Sequence, residues 1–546
     1  MRELRLVPAA CAVWVATLIT LAWGSWQCAV CLALAAAAAA AWREPGQAIL
    51  IAGVGGCAAV VTQLRVVAAS RWRFGGEFVA TIAGEPRDLP AGGFLVRLSV
   101  EGHPGTVPLF TRSLPEAAVA GASVRIDAAA TESDVLGTTQ VALHGALEVV
   151  RGPEGLAGWA HHVKQVFADA VTSTVGPASQ GLIPGMVLGD TSLQSPEEEQ
   201  AYIDTGLSHL SAVSGSNVAI VTSAAAVIAA ACGAGLRGRV AVAAAALAAF
   251  AALVGPEPSV LRASVMGLVG LVAVLASSTT EPIHALCLAV IGLVMVDSNL
   301  AVSYGFALSV VATAGIVALS PHLTRLFAPT GWPEIVLRAL SVALAADAVT
   351  MPLVASMSGE VSVVSVVSNL AVAPVVAPVT VLGLCAVVLA LAPGGLEEPL
   401  LVLIEPMTAW IHAVAQAGAR LPAATVEAGP LGVVVCYGWV AAGLLLGRPR
   451  ATLGVAVAAA IALAVGPGLG GRPVDLERLG GVYVVNSEDQ IEPVPAGTRV
   501  VVVTEQGSPH DRPVVTTGGI PVLYPHRDGP VRLYPDGTQH AVSGRF

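Results

Sequence analysis

Two patterns of apolar and polar positions alternate along the chain. Apolar runs of roughly 17–25 residues with few charges fill residues 1–70 and 206–470, and runs of that length and composition predict membrane-spanning helices. Three such runs precede residue 70 and about eight more follow residue 205, so about 11 spans are expected. The turns fall at WGSWQ, near Trp23, and REPGQ, near Arg43. The first run has the charged start and apolar middle of a signal peptide. Two further spans follow it at once, so it reads as a retained first helix.

Between the apolar blocks the period changes. FVATIAGEPRDLP, GFLVRLSVEG, SVRIDAAATES and QVALHGALEVV are short β-branched runs cut by Gly, Pro and Asp, and they predict a small all-β domain over residues 71–152. Its size suits a five-stranded barrel of the OB type or a small sandwich. Its few aromatics, chiefly Phe78, Phe94 and Phe110, make no evident stacking platform for nucleic acid. Residues 153–205 follow as an amphipathic helix, GWAHHVKQVFADAVTSTVG, and a polar one, SPEEEQAYIDTG. Ser195 is placed to cap the latter, with Pro196 at its first position and Glu197 to Glu199 in its first turn. Residues 471–546 return to short strands separated by Pro, Gly and Asp and form a β-rich tail. The fold class is therefore mainly α: a polytopic transmembrane helix bundle at residues 1–70 and 206–470, with a β-barrel (OB-like) soluble insert and a β-rich tail.

Composition excludes a soluble protein, because 55% hydrophobic residues, 12% charged residues and a mean hydropathy of +0.76 leave too much hydrocarbon for a water-facing surface. A net charge of −10 speaks against a broadly basic nucleic-acid surface, although it leaves room for a local basic path. Lys164 is the only lysine. Arg2 and Arg5 favour a cytoplasmic N-terminus, whereas Arg65, Arg71 and Arg73 after the third run pull the other way. The eight cysteines all lie in apolar runs, and Cys28 and Cys31 read as packing residues, not metal ligands.

Candidate chemistry gathers at two irregular places in the bundle. One is GLSHLSAVSGSNVAIV, from Gly206, where His209, Ser211, Ser214, Ser216 and Asn217 stand at the mouth of an uncharged span. On a continuous helix His209 and Ser216 would share a face with Asn217 close by. The other is Met351 to Val379, where Gly and Pro at membrane depth predict a second broken helix containing Asn369. Arg262 and Asp347 are charges inside apolar runs, and ionisable residues there are functional candidates by default. Arg262 reads either as a charge snorkelling to the interface or as a phosphate contact or ion pair, with Asp297, Asp347 and Glu360 as candidate partners. Asp347 suits pairing or proton coupling. The bland reading of the first cluster is a polar interfacial cap with packing serines. An intramembrane serine protease would need Gly-x-Ser-Gly where Ala212-Val213-Ser214-Gly215 stands.

HLSAVSGSNVAI, His209 to Ile220, resembles the signature of the ComEC family of DNA-uptake channel proteins. GLIPGMVLGDTSLQSPEEEQAYIDTGLSHL upstream is similar to that family's entry to its competence domain. PSVLRASVMG, SNLAVSYGFALSVVATAGIVALSP and SNLAVAPVVAPV downstream resemble, in order, its Arg-Ala-x-x-Met, Gly-Phe-x-Leu-Ser…Gly-Ile and Asn-Leu-x-x-x-Pro segments. The resemblance covers residues 180–420. It implies a multi-pass protein of the cytoplasmic membrane with an extracytoplasmic OB-like insert, passing single-stranded DNA during natural transformation. His209, Ser214, Gly215, Ser216, Asn217, Arg262, Asp347 and Asn369 would line or brace the path. It also implies a surface DNA receptor protein, a cytoplasmic translocase ATPase and the lipid bilayer as partners, and leaves a homo-oligomer open. Many members carry a C-terminal metallo-β-lactamase-like domain, which needs a His-x-His-x-Asp-His cluster. After residue 470 this chain offers only His510, His526 and His540, far apart, with HRDGPVRLYPDG as a remnant hairpin, so no metal, no cofactor and no enzymatic activity are expected of it. No phosphate-binding Gly-x-x-x-x-Gly-Lys-Ser/Thr loop occurs either. The alternative is a secondary transporter of a small solute or lipid, with its site at the paired broken helices.

Overall fold

The computed structural model of the protein describes residues 4–429, apart from 42–43, 75, 90–91, 134, 279–280 and 422–423, and parts of 482–541. Three apolar helices open the chain: α1 (Val7–Ala22), α2 (Ser25–Ala41) and α3 (Pro45–Ser70). Eight more run from α8 to α15: Gly215–Ala231, Leu236–Val254, Pro258–Leu275, Pro282–Val296, Tyr304–Phe327, Glu334–Ser358, Ser365–Ala390 and Glu398–Ala419. Among the described residues seven of these helices are long and apolar enough to cross a membrane, and four, α1, α2, α8 and α11, are shorter apolar helices. The chain is thus a multi-pass helical protein, as its apolar pattern requires. The apolar runs expected after residue 430 lie outside the described residues.

α1 is built into the bundle. It packs with α11 and α12 around Val13, Val290, Val294 and Phe306, and Trp14 Nε1 donates to Ala301 O at 2.9 Å. α11 is short because it stops at Asp297, and its last carbonyls take an outside donor. Arg65 of α3 donates Nη2 to Met295 O and Val296 O at 2.8 and 2.7 Å, and Nη1 to Ser298 Oγ at 2.9 Å. Cys28 is buried as a packing residue, whereas Cys31 faces outward.

The insert is a closed five-stranded barrel. β1 (Glu77–Ile82), β3 (Phe94–Ser99), β4 (Thr106–Thr111), β5 (Ser123–Glu132) and β6 (Val141–Arg151) pair in the ring β1-β5-β6-β4-β3-β1, with β2 (Arg87–Asp88) attached to β3. All these pairings are antiparallel except β4 with β6, which run parallel. Alternation in β3 and β5 turns Val96, Leu98, Val124 and Ile126 inward onto Ile82, Val107, Leu109 and Leu143. The alternating pattern did not announce β4. Pro108 interrupts TVPLFT, and a proline inside a run usually demotes it as a strand. The insert touches the bundle at named points. Asn299 Oδ1, in the turn after α11, accepts from Thr138 N at 2.8 Å and Thr138 Oγ1 at 3.0 Å, and the lone lysine, Lys164, pairs with Glu85 at 3.2 Å.

Four helices stand between barrel and bundle: α4 (Gly155–Thr174), α5 (Pro177–Gln180), α6 (Leu182–Leu188) and α7 (Pro196–Asp204). α4 is amphipathic and lays Ala160, Val163, Phe167, Ala170 and Val171 onto α6, α14 and α15, so it packs on the bundle. α7 carries the expected cap in full: Glu198 N donates to Ser195 Oγ and Ser195 N to Glu198 Oε2, both at 3.2 Å, with Pro196 at its start.

The second irregular region, Met351 to Val379, holds its break at a glycine and not at its prolines. α14 runs unbroken through Pro374 and Pro378, and α13 through Pro352. The chain breaks instead at Gly359, which is left-handed at φ +73° and ends α13. A proline inside a helix frees a carbonyl on the preceding turn, and neighbouring helices can re-satisfy such groups. Trp410 Nε1 of α15 donates to Ala371 O at 3.0 Å, next to the Leu370 carbonyl that Pro374 frees.

The C-terminal residues form a separate compact unit. Strands Val482–Val485, Val500–Val503, Pro521–Leu523 and Val514–Val515 make a four-stranded sheet, and Val531–Leu533 pairs with Gln539–Ala541 as a hairpin. His510 lies outside the described residues.

Close helix crossings give the bundle a testable weak point. A Cβ at Gly315 of α12 would stand 2.9 Å from Ala345 O of α13 and press on Val349, whereas at Gly292 of α11 it would meet nothing within 4 Å. Gly315→Leu should lower the thermal midpoint of the purified chain by several degrees, and Gly292→Leu should leave it unchanged. Equal midpoints for the two variants would mean that α12 and α13 do not pack this closely.

Candidate functional site

Backbone geometry around the His-Leu-Ser-Ala-Val-Ser-Gly motif decides what its side chains can do. α6 is buried along its whole length and ends at Gly189, left-handed at φ +71°. After the capped helix α7 the chain turns at Gly206, also left-handed at φ +68°. It makes one short 3-10 turn over Ser208–Ser211, extends at Ala212 and Ser214, and re-enters helix at Gly215. The motif is therefore not one helix. His209 and Ser216 do not share a helical face as their spacing suggested, because the extended residues rotate and translate everything after them.

Two polar clusters result. In the first, Asn217 is buried at 3% exposure and donates Nδ2 to Met186 O at 2.8 Å, tying the start of α8 to α6. Its Oδ1 accepts from Ser214 Oγ at 3.0 Å, and Ser214 Oγ also meets Ser216 Oγ. Ser214 stands at the N-cap position, yet its hydroxyl makes no capping bond to the first turn of α8. Ser259 of α10 donates to Val213 O at 2.7 Å and holds the extended strand just before it.

The second cluster gathers the other end of the motif. Asn369 Nδ2 of α14 lies 3.0 Å from Ser365 O and 3.3 Å from Gly206 O. Ser365 Oγ donates to Asp347 Oδ1 of α13 at 2.9 Å, and Asp347 Oδ2 is buried with no partner. A Cβ at Gly206 would overlap Ser365, so only glycine brings these segments together. His209 Nδ1 lies 3.2 Å from the same Gly206 O while its side chain stays exposed. His209 therefore belongs with Asn369 and Asp347, away from Ser214 and Asn217.

Arg262 bridges α10, α12 and the start of α8. It is 8% exposed, which removes the snorkelling reading. Its Nε donates to Ser309 Oγ at 2.9 Å and its Nη1 donates to Thr313 Oγ1, with Met266 Sδ at 3.9 Å. Among the described residues no carboxylate pairs with it. Asp347 turns to Ser365 instead, and Asp297 caps the turn after α11 by accepting from Asn299 N. Ser309, Thr313 and Ser365 were not legible as site residues. Small hydroxyls are common in apolar helices, and only spacing relative to Arg262 and Asn369 could have marked them. Next to the clusters, burial and then the Glu198 carboxylate push the Tyr202 phenol well above its ordinary pKa, so its buried hydroxyl stays protonated.

Chemically the arrangement offers hydroxyls, amides and one unpaired guanidinium around breaks in apolar helices. Among the described residues no three His, Cys, Asp or Glu side chains come together as a metal site. A serine protease at Ser214 would need a base such as His284 or His412, but among the described residues Ser214 Oγ bonds only Ser216 and Asn217, and His412 Nδ1 lies 3.6 Å from Glu198.

The family model described as Competence protein matches residues 186–450. The match begins at the methionine whose carbonyl holds Asn217 and takes in both clusters and Arg262. Neither the comparison with curated proteins nor that with solved structures returned a match.

Removing the Asn217 amide strands the buried Met186 O and takes one of two partners from Ser214 Oγ, and an unmet buried acceptor costs about 1–3 kcal/mol. Asn217→Ala should therefore unfold measurably earlier than wild type in detergent, while Ser216→Ala, at an exposed position, should stay close to it. Indistinguishable melting of wild type and Asn217→Ala would remove Asn217 as the tie between α6 and α8.

Proposed function

We propose that this chain, which carries the competence-protein family's domain over residues 186–450, is the membrane conduit through which single-stranded DNA enters the cell during natural transformation. The observation that carries this reading is the meeting of the family-like segments at one broken-helix region. Gly215 from the first faces Arg262 from the second, Arg262 is held by Ser309 from the third, and Asn369 from the fourth holds Gly206, where the first begins. A path for a sugar-phosphate chain needs wetted breaks in the helices with donors that touch phosphate weakly. Hydroxyls and amides supply these without trapping the strand as a dense ring of arginines would.

In this reading the protein sits in the cytoplasmic membrane with the barrel on the outer side. The barrel's ring order, with its single parallel pair β4–β6, supports an OB-like assignment. The chain performs no chemistry itself. A surface DNA receptor delivers the strand and a cytoplasmic translocase ATPase draws it in, since no nucleotide-binding loop occurs in the sequence.

One observation favours a second reading. The unpartnered Asp347 Oδ2 beside Ser365 and Asn369 is the kind of buried carboxylate that a solute transporter uses for coupling.

The test is a deletion strain of a transformable host given labelled DNA, with surface-bound and nuclease-protected DNA scored separately. The conduit reading expects surface binding to persist and protected DNA to vanish, restored by the wild-type gene. Unchanged protected DNA in the deletion strain would reject it and leave the transporter reading.

A further inference from the structure

The first turn of α8 ends in open donors. Among the described residues no hydrogen bond reaches the N–H groups of Gly215 and Ser216, because Ser214 turns its hydroxyl to Asn217 and Ser216. A helix N-terminus with free amides concentrates positive potential, yet by itself it marks nothing. The second feature is Arg262. Its Nε and Nη1 are taken by Ser309 and Thr313, and among the described residues its Nη2 makes no hydrogen bond. Nη2 would stand 3.4 Å from a Cβ placed on Gly215, so the free arm of a 92%-buried, acid-less guanidinium points at the free end of α8. Two neutral hydroxyls hold the fork in place and leave its charge uncompensated. Gly215 leaves open the space that a methyl group would fill.

From this geometry we infer that Arg262 Nη2 and the Gly215–Ser216 amides form a seat for one phosphodiester, taken from the strand in transit. This deepens the conduit reading and rests on it. A guanidinium arm and two amides suit the non-bridging oxygens of a phosphate. One such seat, flanked by neutral hydroxyls, holds a moving strand briefly. The same chemistry could be met by a lipid headgroup or by free phosphate. The strand is favoured because the seat lies at a polar break where Asn217, Ser259 and Arg262 tie α6, α8, α10 and α12 together, with Ser216 open beside it.

The test uses the full chain in nanodiscs of zwitterionic lipid. It measures binding of a fluorescent single-stranded oligonucleotide, and of an abasic strand with the same phosphates, over a range of salt. Arg262→Gln should weaken both strands roughly tenfold or more. It should also reduce the slope of log affinity against log salt by about 0.7, the value for one lost phosphate contact on a single strand. A merely structural arginine would not change that slope. Gly215→Ala keeps the charge and adds a methyl at ordinary contact distance, so it should fold as wild type and weaken both strands while the slope falls likewise. If wild type binds strand and both variants bind equally well with the same slope, the seat is refuted and the conduit reading stands. If wild type binds no strand, both fail. If the variants lose binding to anionic-lipid nanodiscs, or competition by inorganic phosphate, but not to strand, the seat belongs to lipid or free phosphate and the assignment to DNA is overturned.

Discussion

A helix that stops inside a bundle of apolar helices must hand its polar groups to neighbouring protein, because hydrocarbon offers them nothing. Several contacts around residues 206–217 follow from that constraint. Asn217 reaches back to Met186 O and fixes the start of α8 against α6. Ser259 holds Val213 O, and Gly206 O meets Asn369. Each hydrogen bond ties a different helix to the same short stretch, so the break is a junction of α6, α8, α10 and α14 and not a loose loop. Glycine is required where the helices close on it, at Gly206 against Ser365.

Charge is handled sparingly at this junction. Arg262 and Asp347 are embedded in apolar helices, yet each is held by hydroxyls and neither by the other. A direct ion pair would have neutralised both and fixed their helices. Serine and threonine partners orient the charged groups and leave a guanidinium arm and a carboxylate oxygen open. That division would suit the proposed conduit, because a cation already paired has little to offer a phosphate and a cluster of free cations would hold one too long.

The apolar periodicity was enough to read the bundle, and the alternation of the insert was enough to read most of its barrel. The cap of α7 was legible to the residue, since Ser195, Pro196 and Glu198 occur in the order that a capping box needs. Three things were not. β4 was hidden by Pro108. Within Met351 to Val379 the break falls at Gly359 and not at the prolines, which α13 and α14 carry inside them, and the residue types alone did not choose between the two. The extended residues Ala212 and Ser214 separated His209 from Asn217, although their spacing fits a single helix. Long-range partners such as Ser309 for Arg262 and Ser365 for Asp347 leave no local signal. They become visible only when four distant segments are brought to one place.

The most direct measurement of the central claim is photocrosslinking from a probe at Ser216, which is exposed at the break, during uptake of labelled DNA by living cells. A matched probe at Val272, 63% exposed near the end of α10, serves as the control. The account predicts a labelled strand covalently attached through position 216, resistant to added nuclease, and none through position 272. Active uptake with no adduct from position 216, or equal adducts from both positions, would contradict it.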